Sequence, residues 1–285
     1  MPDLKYSRLR REDQHFFLNA TEVSGVQSLS VGYETNLRPI KFLGMASNPS
    51  AIQGSQVNSV SVSTLAIGAD PFIGYTGISG FNGYVLRSKT NITGNFSFTS
   101  GYLTSYNSRA SIGEIPQTTV GIAVFGNVGS LNRTESAAVS GDLLAIETSV
   151  GTSTLNIIGP EGIELVLDDY ETNRVLAYDL SINTPRIPVY TLGTKFPIGV
   201  EIGWPIEVNC AFQIEGTEYT AHTVKKAYCS PNVKNLTIRL RAYDTKNLVT
   251  TYAFTGMYLQ AENYSTSVDG NASITAKYRG FISRS

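Results

Sequence analysis

The chain contains two copies of one pattern, about half its length apart. Residues 91–103 (NITGNFSFTSGYL) align without a gap with residues 247–259 (NLVTTYAFTGMYL). The identical residues of the first copy are Asn91, Phe98, Thr99, Tyr102 and Leu103. An internal repeat is the first thing to settle about a fold, and a period of roughly 150 residues corresponds to a whole domain.

Two further blocks follow the same order. Residues 39–44, with Pro39 and Gly44, are echoed by residues 188–193, and TTVGIAVFG at 118–126 aligns with ASITAKYRG at 272–280. Three blocks in one order predict a tandem duplication. We therefore predict an N-terminal arm (1–18), a first domain (19–130), a linker that includes the start of the second domain (131–173) and the rest of that domain (174–285).

The hydropathy pattern has the period of β-strands. Val60, Val62 and Thr64 alternate with serines, and Ile238 and Leu240 alternate with arginines, as expected of half-buried strands. Helix signals are sparse, and the best is the short segment 220–229. The pattern predicts an all-β protein of two related sandwich-like or barrel-forming domains, each with at most one short helix.

Composition limits the function. Only 16% of residues are charged and the net charge is -1, which disfavours non-specific binding of nucleic acid. No apolar run is long enough for a transmembrane helix, and the N-terminus is too charged for a secretory signal, so we expect a soluble, unprocessed chain. Cys210 and Cys229 lack any CxxC spacing and are expected to be buried free thiols.

Catalytic groups are scarce. The two histidines are His15, in the charged arm, and His222. Glu218 precedes His222 by one helical turn and Cys229 follows it, but a metal site needs further ligands at suitable spacing. The glycines between Gly74 and Gly83 lack the lysine and the helix that a phosphate-binding loop requires. We expect no catalytic activity, no metal and no cofactor.

The densest acidic cluster follows an apolar run, and the densest basic segment is at the N-terminus. Charge runs of this kind are usually solvated surface. The alternative is that the basic arm of one copy contacts the acidic cluster of another. The residues in question are Arg8, Arg10 and Arg11 in the arm, and Asp168, Asp169 and Glu171 in the cluster.

Two segments carry a resemblance to a known family. Residues 101–126 (GYLTSYNSRASIGEIPQTTVGIAVFG) resemble the closing hairpin of bacteriophage tail tube proteins. Residues 17–44 (FLNATEVSGVQSLSVGYETNLRPIKFLG) are similar to the first hairpin of the same family. The resemblance covers most of the first half, and extends to the second half through the internal repeat.

The resemblance implies a domain of two packed antiparallel sheets with one flanking helix. Copies of this domain form a ring whose inner strands make a continuous barrel, and stacked rings form a conduit for double-stranded DNA that is not tightly bound. A subunit with two such domains implies three chains per ring; six chains with two stacked domains each are the alternative. The implied partners are the chain itself and other tail proteins, in a virion assembled in the host cytoplasm.

Two other functions fit the sequence. A baseplate hub or a tail-completion ring protein would share the fold. An extracellular adhesin or carbohydrate-binding β-sandwich would share the abundance of Tyr, Asn and Gly. The sequence leaves open the side chains that line a channel and the presence of a contractile sheath.

Overall fold

A computed structural model of the chain describes residues 15–19, 21–39, 51–77, 80–86, 95–131, 157–168, 170–194, 196–216, 233–267 and 270–284. These residues are almost entirely β-structure, which confirms the predicted all-β class. The strands of the first half are β1 (His15–Leu18), β2 (Thr21–Glu22), β3 (Val26–Pro39), β4 (Ala51–Leu65), β5 (Phe81–Leu86), β6 (Asn95–Ser111), β7 (Gln117–Val124) and β8 (Val128–Leu131). Those of the second half are β9 (Ile158–Leu167), β10 (Tyr170–Thr172), β11 (Val175–Asn183), β12 (Arg186–Val189), β13 (Gly199–Ile202), β14 (Ile206–Glu215), β15 (Val233–Ala242), β16 (Leu248–Ser267) and β17 (Gly270–Ile282).

The two halves use the same strand order. Hydrogen-bonded neighbours in the first half run β2-β1-β5-β6-β7-β4-β3, and in the second half β10-β9-β15-β16-β17-β14-β11. Every pairing is antiparallel. Strand β8 adds to one edge of β6, and β12 pairs with β13 in a separate two-stranded sheet.

The register of the strands repeats as well. One row of paired residues crosses the first half as Val31, Val60, Ile122 and Leu103. The matching row in the second half is Leu180, Cys210, Tyr278 and Leu259. A β-bulge follows Leu103 and another follows Leu259. Since a bulge inserts one extra residue at a defined point, this shared position fixes the structural alignment.

This register corrects the third sequence block. The sequence alignment sets Ile122 against Ala276, whereas the strand pairing sets Ile122 against Tyr278, two residues further along. The second block keeps its alignment, because Pro39 pairs with Ala51 just as Pro188 pairs with Val200.

The tight turns also correspond. Asn19 and Asp168 each follow the first strand of their half with positive φ angles of 45° and 48°. The side chain of Asn19 accepts a hydrogen bond from the Asn82 N–H at 2.9 Å, and Asp168 accepts one from the Asn235 N–H at 2.9 Å. Short polar residues tolerate this left-handed conformation because they bond to nearby backbone, so both turns have a suitable residue.

The core is one hydrophobic cluster that spans both halves. The alternation predicted for β4 and β15 is confirmed, since Val60, Val62, Ile238 and Leu240 are buried. Cys210 is a free, buried thiol as predicted, and Cys229 lies outside the described residues. So does the predicted helix 220–229. The glycine-rich segment before β5 contains a short 3-10 turn, Ile73–Thr76.

The strand series begins inside the segment 1–18 that we predict as an arm. Residues 15–18 form β1 and pair with β5, and Phe16 and Phe17 are buried. The described strands of the first half therefore begin four residues before the predicted boundary at residue 19.

A buried tyrosine cluster ties the halves together. The hydroxyls of Tyr106 of β6 and Tyr252 of β16 lie 2.8 Å apart, and each is within hydrogen-bond distance of the carboxylate of Asp70. Asp70 also accepts a hydrogen bond from the Phe72 N–H at 2.8 Å. Burial, with the nearby carboxylate, raises the pKa of both tyrosines well above its ordinary value. The cluster therefore requires both phenols to keep their protons.

This cluster makes stability sensitive to alkali. Tyrosines in the unfolded chain ionise near pH 10, while Tyr106 and Tyr252 stay protonated, so the free energy of unfolding should fall as pH rises above about 10. Urea unfolding at about pH 8 and about pH 10.5 measures this slope. The slope should be shallower in the double variant Tyr106→Phe/Tyr252→Phe than in the exposed-site control Tyr258→Phe. Equal slopes in all three proteins would contradict this account of the cluster.

Candidate assembly interface

The two halves are joined edge to edge by β6 and β11. Seven residues of β11, Ala177 to Asn183, pair antiparallel with Ser111 to Ser105 of β6. The ladder continues at both ends, where the Ile112 N–H donates to Leu176 O at 2.7 Å and the Thr184 N–H donates to Thr104 O at 2.8 Å. The edge of one half is therefore completed by the edge of the other.

Side chains seal this joint on the core side. Leu180 lies opposite Ser108, Ile182 lies opposite Tyr106, and all four are buried. The Ser108 hydroxyl is 3.0 Å from the hydroxyl of Tyr178. On the other face, the Asn107 side-chain amide donates to Asp179 at 2.8 Å. The joint combines backbone pairing with apolar burial, as an interior pair of strands does.

Each of the two strands in this joint has a counterpart in the other half. Within the described residues, both counterparts have an edge without a paired strand. In the first half, the counterpart of β11 is β3, and within the described residues β3 pairs only with β4. Val31, which matches the fully buried Leu180, is 37% exposed, and Tyr33, which matches buried Ile182, is 59% exposed. Apolar side chains are thus displayed along a strand edge at positions that the second half buries.

The counterpart of the joined part of β6 is the last third of β16. Among the described strands, residues 261–267 of β16 pair only with β17. Tyr264, which matches buried Ser108, is 53% exposed. Glu262 matches buried Tyr106, and its partial burial raises the pKa of its carboxyl. This edge is as open as that of β3.

The two open edges correspond to the two sides of the joint. If β3 of one copy paired with β16 of another as β11 pairs with β6, Val31 would lie opposite Tyr264 and Tyr33 opposite Glu262. A β-branched residue would then face an aromatic ring, and a phenol would face a carboxylate. The first is a favourable cross-strand pair, and in the second the phenol can donate a charge-assisted hydrogen bond to the carboxylate, so the edges are chemically compatible in this register.

The sheet face opposite the core is mostly polar on the eight strands around the joint, and it carries the aromatic side chains of Tyr258 and Phe281 at one end. Small residues dominate it, such as Ser59 and Ser61 of β4 and Thr119 of β7. Arg279 donates to Glu207 at 2.8 Å, and hydrogen bonds from Asn209 and Arg279 lower the pKa of Glu207. The charged residues of this face are Glu34, Asp179, Glu207 and Glu215 against Arg109, Lys277 and Arg279. Acidic and basic groups nearly balance.

The acidic cluster proposed as a contact site has partners within the chain. Asp168 lies 3.0 Å from the Lys234 ammonium, and Glu171 lies 3.2 Å from Arg239. Although burial opposes the shift, the Asn235 N–H and Lys234 lower the pKa of Asp168. Arg8, Arg10, Arg11 and Asp169 lie outside the described residues. Contact between the arm and this cluster stays a prediction.

One of the two histidines, His15, lies among the described residues. His15 Nδ1 lies 2.6 Å from Glu22 in a partly exposed pair between β1 and β2. His222, Glu218 and Cys229 lie outside the described residues. Within the described ranges there is no cluster of three or more metal-binding side chains. No helix in the same part of the chain has the length and apolarity to cross a membrane.

No protein-family model matches the chain, and no curated protein matches it in sequence. The candidate interface therefore stands on its geometry. Its residues Val31, Tyr33 and Tyr264 were not among those predicted from the sequence. The signal that could have found them is the alignment itself, because Val31 lies as far before Pro39 as Leu180 lies before Pro188.

Proposed function

We propose that the chain is a structural virion protein, a bacteriophage tail tube subunit. Copies join head to tail into rings, and the rings stack into a conduit for genome delivery into the host cell. This function needs no catalysis, cofactor or metal. It requires two complementary edges on each chain, since a head-to-tail contact that closes on itself produces a ring.

The observation that carries the proposal is the pair of open edges. An exposed strand edge readily pairs with another chain, and proteins normally protect it. Here β3 and the last third of β16 are exposed, and their counterparts β11 and β6 already form such a pair within the chain. Repetition of the same joint between copies extends the sheet with eight strands from each chain.

The polar face supports a role as a channel wall. The opposite face of these strands packs against the core of the same chain, so only the polar face is free to line a lumen. Its acidic groups balance its basic groups, and Glu207 neutralises Arg279. A wall without excess positive charge does not hold phosphates, and passing DNA is therefore not trapped.

Electron microscopy of the purified protein in negative stain tests the proposal. We expect hollow rings or tubes with a central channel wide enough for duplex DNA. Particle mass by light scattering separates three chains per ring from six, and the resemblance implies three.

Different outcomes favour the other functions. Rings that never stack would favour the tail-completion ring or the baseplate hub. A stable monomer at high protein concentration would overturn ring assembly, and glycan binding by that monomer would favour the adhesin.

A further inference from the structure

An uncovered aromatic pair lies beside the open edge of β16. Tyr258 is 55% exposed and Phe281 is 50% exposed, and both lie on one face of the sheet, since Tyr258 pairs with Arg279, two residues before Phe281. The guanidinium of Arg279 stacks on the ring of Phe281 at 4.9 Å. Large apolar side chains grouped on the surface indicate a site of protein contact.

The same pair exists in the first half, where it is covered. By the strand register, Tyr102 matches Tyr258 and Phe125 matches Phe281. The rings of Tyr102 and Phe125 lie 5.9 Å apart, and both side chains are partly buried. They line a cavity of about 280 Å³ whose opposite wall is Phe196, Pro197 and Ile198, next to β13.

One arginine attaches the covering hairpin, β12–β13, to the first half. Arg186 Nε donates to Leu103 O at 2.9 Å, and Arg186 Nη2 donates to Gly77 O at 2.7 Å. Its guanidinium lies 5.7 Å from the centre of the Tyr102 ring. The hairpin reaches this position because β11, which precedes β12, is paired with β6.

The first half carries the counterpart of that hairpin. The outer part of the β3–β4 hairpin pairs Pro39 with Ala51 in the register in which β12–β13 pairs Pro188 with Val200. This outer part continues the chain beyond the open edge of β3. In the second half, β12 continues the chain beyond the paired edge of β11 in the same way. When β3 pairs with β16 of a neighbour, its outer hairpin is directed to the neighbour's Tyr258 and Phe281.

We infer that Tyr258 and Phe281 form a docking surface for the outer β3–β4 hairpin of a second copy of this chain. The inference rests on the proposed function, because the hairpin arrives only through the β3–β16 joint. It adds a second contact beyond the end of that joint, on the sheet face that carries Arg279 and Glu207. The occupant is a second copy, since the chain itself covers the matching pair with the matching hairpin.

Hydroxyl-radical footprinting of the assembled protein tests this surface. Oxidation of Tyr258 and Phe281 should fall several-fold between dilute monomer and assembled rings, while oxidation of Tyr102 and Phe125, already covered, should stay constant. The double variant Tyr258→Ser/Phe281→Ser should assemble about tenfold more weakly or worse. Tyr243→Ser, which removes an exposed tyrosine in the β15–β16 turn, is the matched control and should assemble normally.

The outcomes separate this inference from the proposed function. If rings form but Tyr258 and Phe281 stay equally reactive, the docking surface is wrong and ring assembly stands. If the double variant assembles as well as the control, the docking surface is wrong again. If no assembly occurs at any concentration, ring formation fails and the docking surface fails with it.

Discussion

Replacement of Val31 by aspartate is expected to abolish assembly while leaving the fold of the chain intact. In the free chain the Val31 side chain is 37% exposed on an open edge, so the carboxylate of the variant stays in water. In the proposed joint the same carboxylate is buried opposite Tyr264 without a cationic partner. Burial of an unpaired charge costs several kcal/mol, and a cost of roughly 3 kcal/mol per interface weakens association more than a hundredfold.

Sedimentation velocity at matched concentrations measures this effect, with thermal unfolding as the check on the fold. Val31→Thr keeps the branched shape without charge and should assemble nearly as the parent does. Thr119→Asp adds the same charge on the exposed polar face of the interior strand β7 and should also assemble. Loss of assembly in Thr119→Asp to the same degree would show that net charge, and not the β3 edge, controls association.

Alanine at the two matched positions Leu180 and Val31 should have opposite consequences. Leu180 is fully buried at the β6–β11 joint, so Leu180→Ala removes core packing and should lower the free energy of unfolding by about 3 kcal/mol. Val31 holds the same place on the open edge. Val31→Ala should change the stability of the monomer by less than about 1 kcal/mol, and its effect should appear in association.

Urea unfolding in dilute solution, where the chain is monomeric, compares the two variants directly. A loss of stability for Val31→Ala as large as that for Leu180→Ala would mean that Val31 is already buried in the monomer. The edge of β3 would then not be open, and the correspondence between the two halves would not extend to it.

The all-β class follows from the sequence because alternation is a local property. Val60 and Val62 are buried where serines on either side are not, and a period of two residues needs no tertiary information. The buried thiol of Cys210 follows in the same way from its place in an apolar strand. The residues of β16 and β6 that the sequence aligns also occupy matching strands.

The register of the last strand could not be derived in this way. A shift of two residues leaves every side chain on the same face of the sheet, so Ile122 fits Ala276 and Tyr278 equally well by pattern. Only the pairing of β17 with its neighbours distinguishes them. The open edges were hidden for a related reason, since β3 and β11 have similar alternation and nothing local says which of them finds a partner within the chain.

The most direct test of head-to-tail pairing is a disulfide between copies at Val31→Cys and Tyr264→Cys. Directly opposed residues of antiparallel strands lie about 4.5–5.5 Å apart, within the range that a disulfide spans. Burial raises the pKa of the Cys210 thiol to about 12, which keeps that native cysteine unreactive, and the single variants control for Cys229. Pairing Val31→Cys with Ser265→Cys, which lies on the other face of β16, should give no disulfide.

Mass analysis after mild oxidation, without reductant, reads the result. Only the cysteine pair at positions 31 and 264 should give disulfide-linked dimers and then larger linked products. The largest product should contain as many chains as one ring. Monomers alone, or equal linking of positions 31 and 265, would contradict head-to-tail pairing of β3 with β16.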